Sequence, residues 1–161
     1  MKTAIRAVIL LLIVLWLGGV LFFPIVAANA FGSLSDTHAA GTIVAKCLRT
    51  LHYEGLFSGA LIVILLLVAQ AVKAVPRSVI APVVTTLIML ALTAFSQFSI
   101  IPRMETARAS VGGNVDAVAE NNPGRQIFDH LHQTSVHVEG LVLLCGIGAL
   151  IATAHGSRRE F

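Results

Sequence analysis

Long apolar runs alternate with shorter polar stretches along this chain, and the alternation predicts helices that cross a membrane. Residues 7–35 carry no acidic or basic side chain, and neither do 55–72 or 78–102. A fourth run, 133–155, holds Glu139 as its one acid or base apart from histidine. A helix rising about 1.5 Å per residue needs about 20 apolar residues to cross about 30 Å of hydrocarbon. Spans are accordingly placed at about 7–31, 55–74, 78–101 and 133–155, joined at one face by longer segments, 32–54 and 102–132. None of the runs shows the alternation of a membrane strand, and a segment in lipid must satisfy its own backbone hydrogen bonds. The predicted fold class is all-α membrane, a four-helix transmembrane bundle forming one membrane domain over 1–161.

Finer features follow from local chemistry. Asp36 is placed to cap a short interfacial helix over about 36–52, because a short side-chain oxygen satisfies the first free amides. Pro24 is expected to kink the first span near its end. The connection 73–77 is short enough to force spans two and three into an antiparallel hairpin. A helical turn is expected over 103–110, followed by breakers at Gly112-Gly113-Asn114 and Asn121-Asn122-Pro123-Gly124.

Composition narrows the class further. Hydrophobic residues make up 57% of the 161 and charged residues only 12%, whereas soluble domains are about a quarter charged. That balance excludes a soluble globular domain and a disordered chain. The net charge of +3 fits basic residues flanking membrane spans, and no nucleic-acid-binding motif accompanies it. Lys2, Arg6, Lys73, Arg77, Arg158 and Arg159 fall in short segments on one side. By the positive-inside rule both termini are expected in the cytoplasm, in a multi-pass protein of a bacterial inner membrane. Lys2 and Arg6 with Ala28-Asn29-Ala30 also suit a signal peptide. The apolar run is longer than such leaders use, so retention of the span is expected. Cys47 and Cys145 form no CxxC, and Cys145 is expected to pack as a small apolar residue.

The unusual side chains gather where the two long connections meet the bundle. His52 and Glu54 open span two, Gln97 and Arg103 close span three, and His130, His132, His137 and Glu139 lead into span four. The candidate polar cluster is Glu54, Gln97, Arg103, His132 and Glu139. A carboxylate inside an apolar span is costly, so Glu139 either faces the bundle interior as a proton, ion or ligand contact or reaches headgroup water at the edge. His52, His132 and His137 are candidates for cofactor binding. Haem would take one axial histidine from span two and one from span four; a metal site would need ligands from several segments. His130 and His137 stand about 10.5 Å apart along one helix and cannot share an ion. The GxxxG at Gly55 and Gly59 allows close approach of another helix, within the chain or in a homo-oligomer. No nucleophile elbow, P-loop or dinucleotide fingerprint is present, so a soluble-type hydrolase or kinase has no support.

Three segments carry a likeness to a known family: Trp16-Leu17-Gly18-Gly19-Val20-Leu21-Phe22-Phe23-Pro24; Ile101-Pro102-Arg103 with Arg108; and Phe128-Asp129-His130-Leu131-His132-Gln133-Thr134-Ser135. Together they resemble the transmembrane-protein-205-like family of small four-span membrane proteins. The resemblance implies a four-helix integral membrane protein in which His132, with Phe128 and Ser135, holds the prominent histidine position. Animal members of that family are linked to tolerance of platinum drugs, which implies export or trafficking. Three functional readings therefore stand side by side: a small transport or export component, a haem- or metal-binding module, and a structural subunit or assembly factor docking another membrane protein.

Overall fold

The computed structural model describes residues 2–73 and 79–155. Residues 74–78, which take in all but the first position of the expected hairpin connection 73–77, lie outside the described part, as do Arg158 and Arg159. Four helical segments are long and apolar enough to cross a membrane. Helix α1 spans Lys2–Ser33, α2 Thr37–Ala71 and α3 Ile80–Phe95. A π-helical turn, Ser96–Ile100, joins α3 to α4, Ile101–Ser110. After a short 3-10 turn, Val115–Ala117, the last helix α5 covers Pro123–His155.

The helices run well beyond the apolar stretches. The interfacial helix expected over 36–52 is continuous with span two: α2 is a single helix of 35 residues, about 52 Å long at 1.5 Å per residue. Asp36 caps it, its carboxylate accepting from the amides of His38 at 2.9 Å and Ala39 at 3.2 Å. Helix α5 begins ten residues before the apolar run, at Pro123, where Asn122 Oδ1 accepts from the Gly124 amide at 2.9 Å. Proline suits a first helical turn because its missing donor would be unpaired there. Pro24 sits inside α1, and the helix continues past it to Ser33.

Packing explains the pattern of exposed and buried apolar residues. Ile9, Ile13, Trp16, Leu17 and Val20 form one stripe of α1 and are buried, at the spacing of a helix face. They meet Ile62, Leu66 and Ala69 of α2, Met89 of α3, and Val142 and Ala149 of α5. Cys145 packs beside this core. Leu11, Leu21 and Phe22 point outward and are more than half exposed, as lipid-facing side chains require. The GxxxG is filled from within the chain: a Cβ at Gly55 or Gly59 would overlap the Trp16 indole. Small residues there let α1 and α2 approach closely enough for the large ring to fit between them. Helix α1 packs on α2 and α5, and α3 packs on the same two. A second, smaller apolar cluster, Ile100, Leu131 and Val138, lies toward the end where the long connections sit.

Candidate functional site: a buried histidine behind an apolar slot

Between the two apolar clusters the bundle holds a polar layer centred on His52. Its side chain is 1% exposed. Both ring nitrogens are engaged: Nε2 lies 2.6 Å from Glu139 Oε1, and Nδ1 lies 3.1 Å from Gln97 Oε1. The line Glu139–His52–Gln97 therefore ties α5, α2 and the π turn together through side chains alone. With Gln97 presenting its oxygen, Nδ1 carries a hydrogen and donates it. One proton lies between Nε2 and the Glu139 carboxyl. A hydrogen-bonded partner on the neighbouring helix removes much of the cost of placing an acid inside a membrane span.

The π turn presents Gln97. The Ile101 amide reaches back to the Ser96 carbonyl, a bond one residue longer than an α-helix makes. Pro102 follows immediately and has no amide to offer the Phe98 carbonyl; a widened turn absorbs that loss. Thr93, Ser96, Gln97 and Ile100 are buried, in line with Thr86 and Met89 on the inward face of α3. The Thr93 and Ser96 hydroxyls are buried and make no hydrogen bond within the described residues.

Glu139 faces a cavity of about 790 Å³ bounded by α1, α2, α4 and α5. Its walls are mostly apolar, including Phe23, Phe31, Leu48, Met104 and Leu143. At its polar end stand His38 and Arg108. Arg108 laces this end shut. Its Nε donates to the Gly113 carbonyl at 3.0 Å, and Nη2 donates to the His38 carbonyl at 2.8 Å and to Thr42 Oγ1 at 3.1 Å. His38 Nδ1 lies 2.6 Å from the same Gly113 oxygen. Gly113 holds φ of +89°, and Gly112 before it +75°. A side chain is strained in that region, and a Cβ at Gly113 would come within 3.0 Å of the His38 ring.

The predicted residues divide clearly. His52, Gln97 and Glu139 come together. Glu54 does not join them; it accepts from Ser58 on its own helix at 2.7 Å. Arg103 is exposed and borders a separate shallow depression with Gln126, Ile127 and His130. His132 is exposed, stacks on Phe128 with ring centres 6.3 Å apart, and lines the cavity on the same side of α5 as Glu139. His137 is exposed. Both nitrogens of His52, the expected partner of His132 or His137 around haem, are engaged by Gln97 and Glu139 in this structure. Among the described residues no group of three or more His, Cys, Asp or Glu converges to hold a metal ion. His38, which the sequence offers only as one possible metal ligand, and Arg108 instead brace the polar end of the cavity. Arg108 stood in the family-like segment after span three, but its role depends on how the Gly112–Gly113 turn folds back.

Residues 11–111 match a family model described as "Domain of unknown function (DUF4149)". That stretch begins within α1 and ends just after α4, so it includes His52, Gln97 and Arg108 but not Glu139. Neither the curated proteins nor the solved structures contain a significant match to the chain.

Proposed function

Starting from a chain that belongs to the DUF4149 family and is an integral membrane protein, we propose that it is a small transport or export component of the inner membrane. In this reading both termini are cytoplasmic, and the cavity at the polar end receives the transported molecule. Glu139 carries the proposal: it lines the cavity and is bonded at 2.6 Å to a histidine that has no access to water. A structural ion pair would need no such opening. An acid at a cavity wall with a shared proton behind it can give that proton up to a ligand and recover it. Ionisable groups inside membrane spans serve such relays. The likeness to transmembrane-protein-205-like proteins, with their link to drug tolerance, points toward export as well. Four spans are few for a monomeric carrier, so the working unit in this proposal is a homo-oligomer.

The test is proton movement in liposomes containing the purified protein and a trapped pH-sensitive dye. Under an imposed gradient the wild-type chain should dissipate it faster than empty liposomes. Glu139→Gln and His52→Leu should return the rate to the empty-liposome value. Wild-type flux in Glu139→Gln, or no flux above background in the native protein, overturns the proposal.

A further inference from the structure

We propose that the cavity binds a single-chain amphiphile with an anionic head group, its head on Arg108 and its chain laid along the apolar walls toward Glu139. This deepens the reading above, since it rests on the cavity being the ligand site. The first support is shape. The lining runs from Val20 to Phe31 on α1, from Thr37 to Leu51 on α2 and from Phe128 to Leu143 on α5. At 1.5 Å per residue these spans are about 16–22 Å along the helix axes. The cavity is thus a slot parallel to the bundle. Its volume of about 790 Å³ is in the range of sites for one small molecule.

The second support is charge. Arg108 is half-buried at the polar end, and its hydrogen bonds go to two carbonyls, a hydroxyl and the Nδ1 of His38, none of them an anion. Among the described residues no carboxylate pairs with it. The acids that share the lining are engaged elsewhere: Glu105 with Arg49, Asp129 with Arg125 and Glu139 with His52. Asp116, the remaining acid, is exposed on the connecting segment. A guanidinium with an unspent charge beside an apolar slot selects a carboxylate or phosphate, which its planar fork meets with two parallel bonds. A neutral amphiphile would cover Arg108 without compensating it.

The third support is position. Helix α2, about 52 Å long, exceeds a hydrocarbon core of about 30 Å. The Arg108 end of the slot therefore falls at headgroup height and the Glu139 end among the acyl chains. An amphiphile lying in the membrane already has that polarity.

The experiment uses the full chain in a neutral detergent with cis-parinaric acid as probe, read by energy transfer from Trp16, the single tryptophan. Binding should saturate, and oleate should displace the probe while oleyl alcohol does not. Arg108→Gln should weaken binding by about tenfold or more, the worth of a charge-assisted hydrogen bond, and Arg108→Lys should recover part of it. Because Arg108 also braces the polar end, Gly140→Phe is the second variant. Gly140 lines the slot, and a Cβ there meets nothing within 4 Å, so the ring fills the slot and should abolish binding. Equal displacement by oleyl alcohol, with Arg108→Gln unchanged, overturns the anionic head group and leaves the slot as the ligand site. Absence of saturable binding, or full binding in Gly140→Phe, overturns the proposal as a whole. The proton-flux assay reads proton movement and not occupancy of the slot, and no single-chain amphiphile is added to it, so failure of the Glu139 reading is seen independently.

Discussion

Removing the two ends of the His52–Glu139 bond, singly and together, measures what the polar layer contributes. Consider His52→Leu, Glu139→Leu and the double variant. Glu139→Leu leaves an imidazole that is 1% exposed with one nitrogen unpaired, and a stranded buried group costs about 1–3 kcal/mol. His52→Leu strands Glu139, whose side chain is 17% exposed and reaches the cavity, so that part of the cost is smaller. It also strands Gln97, but this happens in both variants that lack His52 and cancels in the cycle. The double variant should then be less damaged than the sum of the singles. Hydrogen bonds between membrane helices average about 0.6 kcal/mol in such cycles, while bonds to charged groups reach about 1.5–3 kcal/mol. A shared proton over 2.6 Å belongs with the second group, so the expected coupling is about 1.5 kcal/mol or more. Unfolding in mixed micelles with sodium dodecyl sulfate, followed by Trp16 emission, reports the right place, because Trp16 packs on Gly55, one turn from His52. Additivity within about 0.3–0.5 kcal/mol would refute the view that the pair is coupled.

Three further outcomes are expected. Gly59→Val drives a side chain into Trp16 and Leu90; overpacking of this kind costs about 1–3 kcal/mol, and the same unfolding assay should show it with a shifted emission maximum. Wild-type stability in that variant would contradict the α1–α2 contact. Gly113→Val forces a branched residue to φ of +89° beside His38, at a cost of about 1–3 kcal/mol. Amide exchange over 37–42 should quicken, since Arg108 and His38 lose their common carbonyl, and unchanged exchange would count against the brace. Finally, single cysteines at Ser35 and Asn114, in a background lacking Cys47 and Cys145, should label from the same compartment with a membrane-impermeant maleimide. Labelling from opposite compartments would contradict the four-span arrangement.

The parts of this architecture legible in the sequence are those set by local or one-dimensional rules. Four helices follow from run length, and the Asp36 cap from a short acceptor placed before an apolar stretch. Glu139 stood out because an acid in an apolar run must face something. Its partner was not legible. Spacing along span four says which residues share a face, and His132 and Glu139 do line one cavity. Spacing says nothing of what the neighbouring helix presents, so His52 was matched with histidines instead of with Glu139 and Gln97. The beginning of α5 was missed for another reason. Asn122-Pro123 is a good helix start, but a span read from hydropathy begins where residues become apolar, and these helices continue past that point. The role of Arg108 was not legible because a charged residue in a polar connection has no distinctive periodicity, and only the turn at Gly112–Gly113 brings it to the slot.

The π turn at Ser96–Ile100 has a consequence for tracing descent. Such a turn houses one more residue than an α-helix would in the same axial distance, so the direction in which α4 carries Arg108 depends on a residue count as much as on the residue itself. A homologue lacking that extra position would keep a perfectly apolar third helix while rotating the residues of α4, Arg108 among them, away from the slot. Alignments of this family drawn on hydrophobic period alone will therefore slip by one beyond 96–100, and a missing arginine there should first be sought one place to either side.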